Sequence, residues 1–359
     1  MTDDAPSVTT ALASLLERTI VRAEGWLPFD RFMTLALYAP GLGYYANDGR
    51  KFGAMPSSGS DFVTAPEMSP LFGRTLAVQL AEALERTVTD ELWEFGAGTG
   101  ALAKELLAAL PVRHYRIVEV SAALRARQQE ALAAHGERVQ WVSQLPERFS
   151  GVIVGNEVLD AVPVKLIARK GGVWHERGVS TGFAWADRPT ALRPPVQIEG
   201  DHDYVTEIHP MAEAFIRTLA ERLERGAAFF IDYGFPEAEY YHPQRSAGTL
   251  MCHRAHMADA DPLSGIGLKD ITAHVNFTGI ALAAQEAGLK TLGYATQGRF
   301  LVNCGLVQRL EDATLADRAA ALRLMAEHEM GELFKVLALH KGAYWDAVGF
   351  REGDRSHTL

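Results

Sequence analysis

The sequence predicts an α/β protein built around a mostly parallel sheet, and two observations carry this prediction. From Leu92 onward, short apolar runs alternate with segments of helical periodicity, the pattern of strands joined by crossover helices. A glycine-rich turn at residues 96–100 lies between one such run and the helix after it. Ligands bind at this type of turn in open parallel sheets, so the turn also predicts a binding edge.

The first part of the chain, residues 1–85, is predicted to form a helical cap followed by a glycine-rich loop. Apolar residues recur at helical spacing through residues 10–38, with a break near 25–28, which indicates two helices. Residues 40–66 are rich in Gly, Ser and Pro and indicate a long loop of functional type. Helical periodicity returns over residues 66–85.

The second part, residues 86–345, is predicted to hold the sheet, and residues 346–359 form a tail. The predicted strands are residues 91–95, 115–120, 151–155, 227–232, 290–295 and 334–340. The predicted helices are residues 102–110, 122–135, 211–224, 277–287 and 314–330. Two insertions interrupt the alternation: residues 164–204 alternate like paired strands, and residues 236–276 are rich in His, Gly and Asp.

Composition limits the partners. With 48% hydrophobic and 22% charged residues the chain is an ordinary folded protein. It has 35 Lys and Arg against 45 Asp and Glu, a net charge of −10, so we expect no nucleic-acid partner. The acidic balance favours solubility first, and it is compatible with a basic substrate segment. The oligomeric state is left open.

The compartment is predicted from cysteine use and hydropathy. Cys252 and Cys304 are too few for a disulfide framework, so we expect two buried thiols in a reducing compartment. Residues 1–8 lack the apolar segment of an export signal, and no 18 consecutive residues are apolar. We therefore expect a cytoplasmic protein without a membrane span.

The glycines of the turn, Gly96, Gly98 and Gly100, permit a tight bend and close approach of the backbone to a ligand. Their spacing alone does not identify that ligand. Because Ala101 follows, the same string fits the looser dinucleotide-binding pattern, and an NAD-dependent oxidoreductase is one interpretation.

Two carboxylates near the turn favour a different cofactor. Glu94, two residues before Gly96, could meet a cationic group such as the amino group of a methionine moiety, and it would repel a pyrophosphate. Glu119, at the end of the next strand, is placed to accept hydrogen bonds from both ribose hydroxyls, a role that NAD would share. Together they predict S-adenosylmethionine, unless both are only solvent-facing charges at strand ends.

Polar residues follow the apolar strand 151–155 abruptly and are candidates for cofactor and substrate contact. Asn156, Glu157 and Asp160 would face the crevice beside the glycine turn. Alternatively, Asn156 caps a helix and Glu157 meets its dipole. If the methyl acceptor is a guanidinium nitrogen, carboxylates should bind the cation through paired hydrogen bonds and accept its proton. Glu157 is the first candidate for this role, and Asp160 or Asp232 is the alternative.

A metal site is not expected. His253, His256 and His274 are accompanied by several aspartates, but their spacing matches no helix-borne ligand motif.

Five segments in a fixed order carry a further signal: residues 38–45 (YAPGLGYY), 60–67 (SDFVTAPE), 94–100 (EFGAGTG), Asn156 and Glu157 with 160–164 (DAVPV), and 270–275 (DITAHV). With these segments the chain resembles the MidA family of methyltransferases, whose mitochondrial relatives are protein arginine methyltransferases that assist assembly of respiratory complex I. The chain departs from the pattern at Ala97 and Thr99, where many members have Pro and Arg, but no glycine is lost.

The resemblance implies a class I (Rossmann-like) core with a seven-stranded, mostly parallel sheet, an N-terminal helical cap and insertions after strands 4 and 5. It also implies functional residues. Those closing over the cofactor would be Gly43, Tyr44, Asp61, Thr64 and Glu67; those facing cofactor and substrate would be Asn156, Glu157 and Asp160. His274 would belong to the substrate surface, where we also place Asp232.

The function predicted from the sequence is S-adenosylmethionine-dependent methyl transfer to an arginine of a protein substrate, and the resemblance suggests a complex I subunit as that substrate. One alternative is a small-molecule methyltransferase, with a pocket closed by residues 164–204 and 236–276. Another is a cofactor-binding assembly factor with little catalysis. An oxidoreductase is disfavoured by Glu94.

Overall fold

The computed structural model of the chain describes residues 5–47 and 63–359. The helices in these ranges are α1 (Ala5–Arg22), α2 (Phe29–Tyr38), α3 (Ala65–Met68), α4 (Pro70–Thr87), α5 (Ala101–Ala109), α6 (Ala122–Ala131), α7 (Pro210–Arg222), α8 (Glu237–Tyr240), α9 (Phe277–Glu286), α10 (Gln297–Asn303), α11 (Leu306–Arg309), α12 (Leu315–Met325) and α13 (Met330–Leu333). The strands are β1 (Trp26–Pro28), β2 (Glu91–Phe95), β3 (His114–Val118), β4 (Val139–Val142), β5 (Phe149–Asn156), β6 (Lys165–Lys170), β7 (Val173–Ser180), β8 (Ala184–Pro189), β9 (Tyr204–Ile208), β10 (Leu223–Phe235), β11 (Met251–Arg254), β12 (Met257–Asp259), β13 (Asp270–Thr272), β14 (Val275–Asn276), β15 (Lys290–Thr296) and β16 (Phe334–Lys341).

The described residues form two compact units, each assembled from separate stretches of the chain. One unit comprises residues 5–47, 161–212 and 237–276. The other, which we call the sheet unit, comprises residues 63–160, 213–236 and 277–359. The domain limits predicted from the sequence stay predictions.

The sheet unit contains the α/β core. Within the described residues its strands follow one another in the order β15-β16-β10-β5-β2-β3-β4. The pairs from β10 to β4 are all parallel, and β16 runs antiparallel to both of its neighbours. The prediction of a class I, mostly parallel core is therefore confirmed.

Strand register brings the predicted site residues to one edge of this sheet. Leu92 of β2 lies opposite Tyr115 of β3 on one side and Val152 of β5 on the other. Since these strands are parallel, their carboxyl ends meet at the same edge. The glycine turn after β2, Glu119 after β3 and Asn156 at the end of β5 consequently lie side by side in the sheet order.

Helices α4 and α5 pack against each other and share a hydrophobic core with the sheet. Ser69 caps α4 by accepting a hydrogen bond from the Leu71 amide. At Gly73 a Cβ would lie 2.7 Å from the Glu105 Cβ, so the two helices approach closely at this point. Full burial of leucines such as Leu80 and Leu106 stabilises this layer by about 2 kcal/mol each.

The other unit contains a small antiparallel sheet in the order β1-β7-β6-β9, with β8 paired to β7. A second sheet has the order β12-β11-β13. The paired strands predicted for residues 164–204 are confirmed as β6, β7 and β8, and the two helices predicted for residues 10–38 are confirmed as α1 and α2. Leu12, Leu16, Phe32 and Leu37 of these helices are fully buried in this unit's core.

Several predicted limits are wrong. The predicted helix 122–135 ends at Ala131, and a 3₁₀ stretch, Ala133–Arg138, follows, in which Gly136 has a φ of 56°. Helix 211–224 gives way at Leu223 to β10, which runs to Phe235 rather than over 227–232. The last predicted helix, 314–330, ends at Met325. Strand β4 and helix α10 were not predicted.

The predicted loop 40–66 ends earlier than expected because α3 begins at Ala65; residues 48–62 lie outside the described residues. None of the described helices combines the length and apolar composition needed to cross a membrane.

Candidate cofactor and active site

The glycine turn has the backbone conformation that its sequence predicts. Gly96, Gly98 and Gly100 all have positive φ, at 65°, 53° and 89°. A Cβ on Gly96 would approach Val158 Cγ2 to 2.8 Å. The Gly100 amide donates to the Ala97 carbonyl at 2.7 Å, and α5 begins at the next residue. The turn is thus closed on itself and leads into a helix N-terminus, a geometry suited to a ligand lying against the backbone.

Glu94 lies just before the turn and is almost completely buried, with 2% of its surface exposed. Its Oε2 accepts a hydrogen bond from the Tyr115 hydroxyl at 2.7 Å. Burial raises the pKa of Glu94 to about 7; the hydrogen bond from Tyr115 lowers it and the charge of Glu119 raises it further. A cationic ligand group would favour the ionised form of this poised carboxyl.

Glu119, one residue beyond β3, is held by neutral donors. Its Oε1 accepts from the Ser121 amide at 2.7 Å and its Oε2 from the Gln128 side chain at 3.1 Å. Burial raises the pKa of Glu119, while these hydrogen bonds act in the opposite direction. A carboxylate can accept about four hydrogen bonds, so capacity remains for ribose hydroxyls as predicted.

Strand β5 ends at Asn156, and the next residue, Glu157, has an unusual backbone conformation. Glu157 has a φ of 53°, which is rare for a residue with a side chain and often marks a functional site. The Asn156 amide donates to Glu157 Oε1 at 3.0 Å. Its own Oδ1 is buried and has no hydrogen-bond partner among the described residues. This carbonyl oxygen is therefore a candidate acceptor for a ligand N–H or O–H.

Asp232, in β10, organises the segment that follows. Its Oδ2 accepts from the backbone amides of Val158 at 3.1 Å, Leu159 at 2.8 Å and Asp160 at 3.3 Å. Burial and then the charges of Asp160 and Glu157 raise the pKa of Asp232 well above its ordinary range. Asp232 is only 1% exposed and holds the backbone of residues 158–160; its predicted role toward substrate stays a prediction.

Asp160 is 5% exposed, and its Oδ2 accepts from the Tyr233 hydroxyl at 2.6 Å. Glu157, Asp160 and Asp232, the three predicted substrate-side carboxylates, thus come together at the ends of β5 and β10. The alternative helix-cap interpretation is not what the structure shows, because the residues after Asn156 form a turn.

One residue from the segment before α4, Glu67, contacts the turn. Glu67, in α3, accepts a hydrogen bond from the hydroxyl of Thr99, which lies between Gly98 and Gly100. Thr64 precedes α3 as its N-cap residue, and its carbonyl accepts from the Glu67 amide at 3.0 Å. Glu67 therefore lies beside the cofactor turn within the sheet unit.

The remaining predicted residues belong to the other unit, except Asp61, which lies outside the described residues. Gly43 packs against backbone: an added Cβ would lie 2.5 Å from the Ala39 nitrogen. Tyr44 is 2% exposed and forms part of the hydrophobic core. The His274 amide donates to the Thr249 hydroxyl at 3.0 Å. Their roles toward cofactor and substrate stay predictions.

Over residues 5–47 and 63–359, no three His, Cys, Asp or Glu side chains are grouped to hold a metal ion. Cys252 and Cys304 are both buried free thiols.

Sequence reasoning missed Tyr115, Tyr233 and Gln128. Gln128 did carry a signal, because it lies four residues from each of Leu124 and Leu132 and so on the buried face of α6. A polar residue on an apolar stripe indicates a specific buried partner. The two tyrosines gave no comparable signal.

The family is identified by sequence comparison. Residues 75–295, more than half of the chain, match the model of a family described as "Putative S-adenosyl-L-methionine-dependent methyltransferase". The chain belongs to this methyltransferase family.

Solved and curated relatives agree with that assignment. The methyltransferase is 49% identical to a Burkholderia thailandensis protein whose crystal structure contains S-adenosyl-homocysteine, with a TM-score of 0.96 and coverage of 100% of this chain and 99% of that one. It is 25% identical to "Protein arginine methyltransferase NDUFAF7, mitochondrial" of Danio rerio, over 93% of this chain and 87% of that one. The corresponding Caenorhabditis elegans protein is 26% identical over 89% and 84%.

The site residues of the methyltransferase fit S-adenosylmethionine. The glycine turn presents backbone without side chains in the positive-φ conformation, Asn156 Oδ1 offers a buried acceptor, and Glu94 and Glu119 provide acceptors at the two positions predicted for the amino group and the ribose. The enzyme is an S-adenosylmethionine-dependent methyltransferase.

Proposed function

We propose that this enzyme transfers the methyl group to a guanidinium nitrogen of an arginine in a protein substrate. The observation that carries the proposal is the meeting of Glu157, Asp160 and Asp232 beside the cofactor turn. Burial, and then the charges of Asp160 and Glu157, raise the pKa of Asp232, so a positive charge placed beside these three acids would stabilise their ionised forms. A guanidinium group supplies the matching positive charge with hydrogen-bond donors in a fixed plane.

The chemistry requires positioning and one proton acceptor. S-adenosylmethionine, when bound, supplies a methyl group on a sulfonium, and the arginine nitrogen displaces the thioether in line. The protonated guanidinium loses one proton as the new C–N bond forms, and the product is again a cation. Glu157 is the proposed acceptor of that proton, because it is partly exposed and its carboxylate is oriented by Asn156.

The other two carboxylates have supporting roles in this proposal. Asp160, fixed by Tyr233, would pair with the charge of the guanidinium. Asp232 would act as a positioning residue, because its hydrogen bonds hold the amides of residues 158–160. The names of the curated relatives support arginine as the acceptor.

The substrate that we propose is a subunit of respiratory complex I, as the MidA resemblance implies, and the proposed location is the cytoplasm. Two buried free thiols support a reducing compartment.

The test is to incubate the purified enzyme and S-adenosylmethionine carrying a labelled methyl group with protein extract from cells lacking this chain. Tryptic peptides are then analysed by mass spectrometry. We expect labelled methylarginine, with Glu157→Gln reducing its formation about a hundredfold or more. The affinity for S-adenosylhomocysteine should change less than about threefold.

The matched control is Glu130→Gln, an exposed carboxylate on α6, which should behave like the wild type. Label found only on small molecules, or only on residues other than arginine, would overturn the proposed substrate. Full activity of Glu157→Gln would exclude the proposed role of that residue.

A further inference from the structure

Gln128 is a fully buried polar residue that the function described so far does not use. It lies in α6 with 0% of its surface exposed. Its side-chain nitrogen donates to the Gly98 carbonyl at 3.0 Å and to Glu119 Oε2 at 3.1 Å. Its side-chain oxygen accepts from Trp141 Nε1 at 3.0 Å. Each polar atom of this amide is therefore satisfied, and two of its three bonds go to the predicted cofactor-binding elements.

The orientation of the Gln128 amide follows from the chemistry of its partners. An indole N–H can only donate, so the amide oxygen must face Trp141. A backbone carbonyl and a carboxylate can only accept, so the amide nitrogen must face Gly98 and Glu119. The usual ambiguity between the two ends of a glutamine side chain is thereby removed. By donating to the amide oxygen, Trp141 of β4 helps to orient the amide so that its nitrogen faces the Gly98 carbonyl and Glu119.

Gln128 supplies a contact to Glu119 from outside the segment that follows it. Glu119 Oε1 accepts from the Ser121 amide at 2.7 Å, and the Val120 backbone is a further hydrogen-bond donor, so both of these contacts come from the next two residues. The side-chain nitrogen of Gln128, from α6, holds the other oxygen, Oε2. Because the same nitrogen also holds the Gly98 carbonyl, the relative placement of turn and carboxylate is set by one side chain.

We propose that Gln128 is a positioning residue for cofactor binding, which sets the Glu119 carboxylate to receive the ribose hydroxyls and thereby gives the enzyme its preference for a ribose over a deoxyribose ligand. The proposal rests on the predicted role of Glu119. It does not depend on the methyl acceptor, since it concerns the cofactor alone.

The test is calorimetric binding of S-adenosylhomocysteine and of its 2′-deoxy analogue to the full chain, without methyl acceptor. The wild type should prefer the ribose ligand about tenfold or more. Gln128→Met keeps the length of the side chain and removes all three hydrogen bonds. The ratio of the dissociation constants of the deoxyribose and ribose ligands should therefore fall to about three or less. The same substitution one residue on, at the exposed Gln129, should preserve the wild-type preference.

A structural role alone would give a different result. If Gln128→Met weakened both ligands equally, or left the preference unchanged, the proposal would be overturned. A wild type with no preference would overturn it as well, because Glu119 would then not contact the 2′-hydroxyl. Failure to find methylarginine leaves these measurements unaffected, so the two proposals fail separately.

Trp141→Phe provides the test if Gln128→Met does not fold. It removes the indole donor and leaves the Gln128 amide held only by its bonds to the Gly98 carbonyl and Glu119. The ratio of the two dissociation constants should decrease by about threefold or more. The melting temperatures of both variants report whether the fold is intact. An unchanged preference in folded Trp141→Phe contradicts the proposed orienting mechanism.

Discussion

The binding edge of the sheet has two regions that differ in the number of acidic groups they bring together. The glycine-turn region (Glu94, residues 96–100 and Glu119) has two carboxylates, and each accepts hydrogen bonds from neutral donors such as Tyr115 and Gln128. The carboxylate region (residues 156–160 and Asp232) has three, and burial, followed by the charges of Asp160 and Glu157, raises the pKa of Asp232.

This difference separates two ways of selecting a ligand. The glycine-turn region is prepared by shape and by hydrogen bonds already in place, so a ligand binds with little rearrangement of the protein. The carboxylate region groups three acidic side chains, and the entry of a cation would stabilise their ionised forms. Under the proposed function, one edge therefore holds the cofactor and recognises a cationic substrate group by separate means.

The largest effect should come from breaking the shape of the glycine-turn region with Gly98→Val. Gly98 has a φ of 53°, which a β-branched residue adopts only with strain, so binding of S-adenosylmethionine should weaken about a hundredfold or more, roughly 3 kcal/mol. Calorimetry measures this. Gly136→Val is the matched control, because its φ is 56° and a Cβ there meets open space. Equal losses of affinity in both variants would mean that the substitution weakens binding by destabilising the whole fold and not by distorting the cofactor turn.

A smaller effect is expected from removing the charge of Glu94. Its pKa in the folded state, about 7, lies above the ordinary 4.5, so the wild type loses stability as the pH rises from about 4.5 through 7. Glu94→Gln retains an acceptor for Tyr115 and cannot ionise. It should match the wild type at pH 4, exceed it by about 2–3 kcal/mol at pH 8, and bind cofactor more weakly. Urea unfolding at both pH values measures the free energy of unfolding, and Glu130→Gln is the control. If this free energy changed equally with pH in Glu94→Gln and in the wild type, the pKa of Glu94 would not be raised by folding.

The smallest effect is expected from Asp232→Asn. Burial and then the charges of Asp160 and Glu157 raise the pKa of Asp232 above its ordinary 3.8, so the wild type should lose stability relative to the variant as the pH rises above about 4, by about 1 kcal/mol. Urea unfolding at pH 4, 6 and 9 measures this difference, and Asp312→Asn, at an exposed position, is the comparison. A stability difference between variant and wild type that does not change with pH would contradict a raised pKa of Asp232.

The sequence predicted local features of this edge well. Strand β2 has the predicted limits, and the glycine turn, Glu94 and Glu119 lie where their order along the chain placed them. Each of these depends on a few consecutive residues, for which hydrophobic periodicity and glycine placement are direct signals.

Features that depend on distant parts of the chain were not predicted. Strand β4 has only four residues and is stabilised by pairing with β3, so its own apolar signal is weak. The hydrogen bonds from residues 158–160 to Asp232 depend on the register between β5 and β10. Tyr115 reaches Glu94 only because β2 and β3 are neighbours in the sheet. No pattern along the chain records such pairings.

Strand β16 has a consequence for synthesis of the chain on the ribosome. It is the last strand in chain order among the described residues, yet it lies inside the sheet, paired to β10 on one side and β15 on the other. Until residue 341 has emerged, two strand edges stay open to other chains. A nascent chain stalled before Phe334 is therefore expected to aggregate readily and to depend on chaperones. In the finished polypeptide, β16 pairs with both open strand edges.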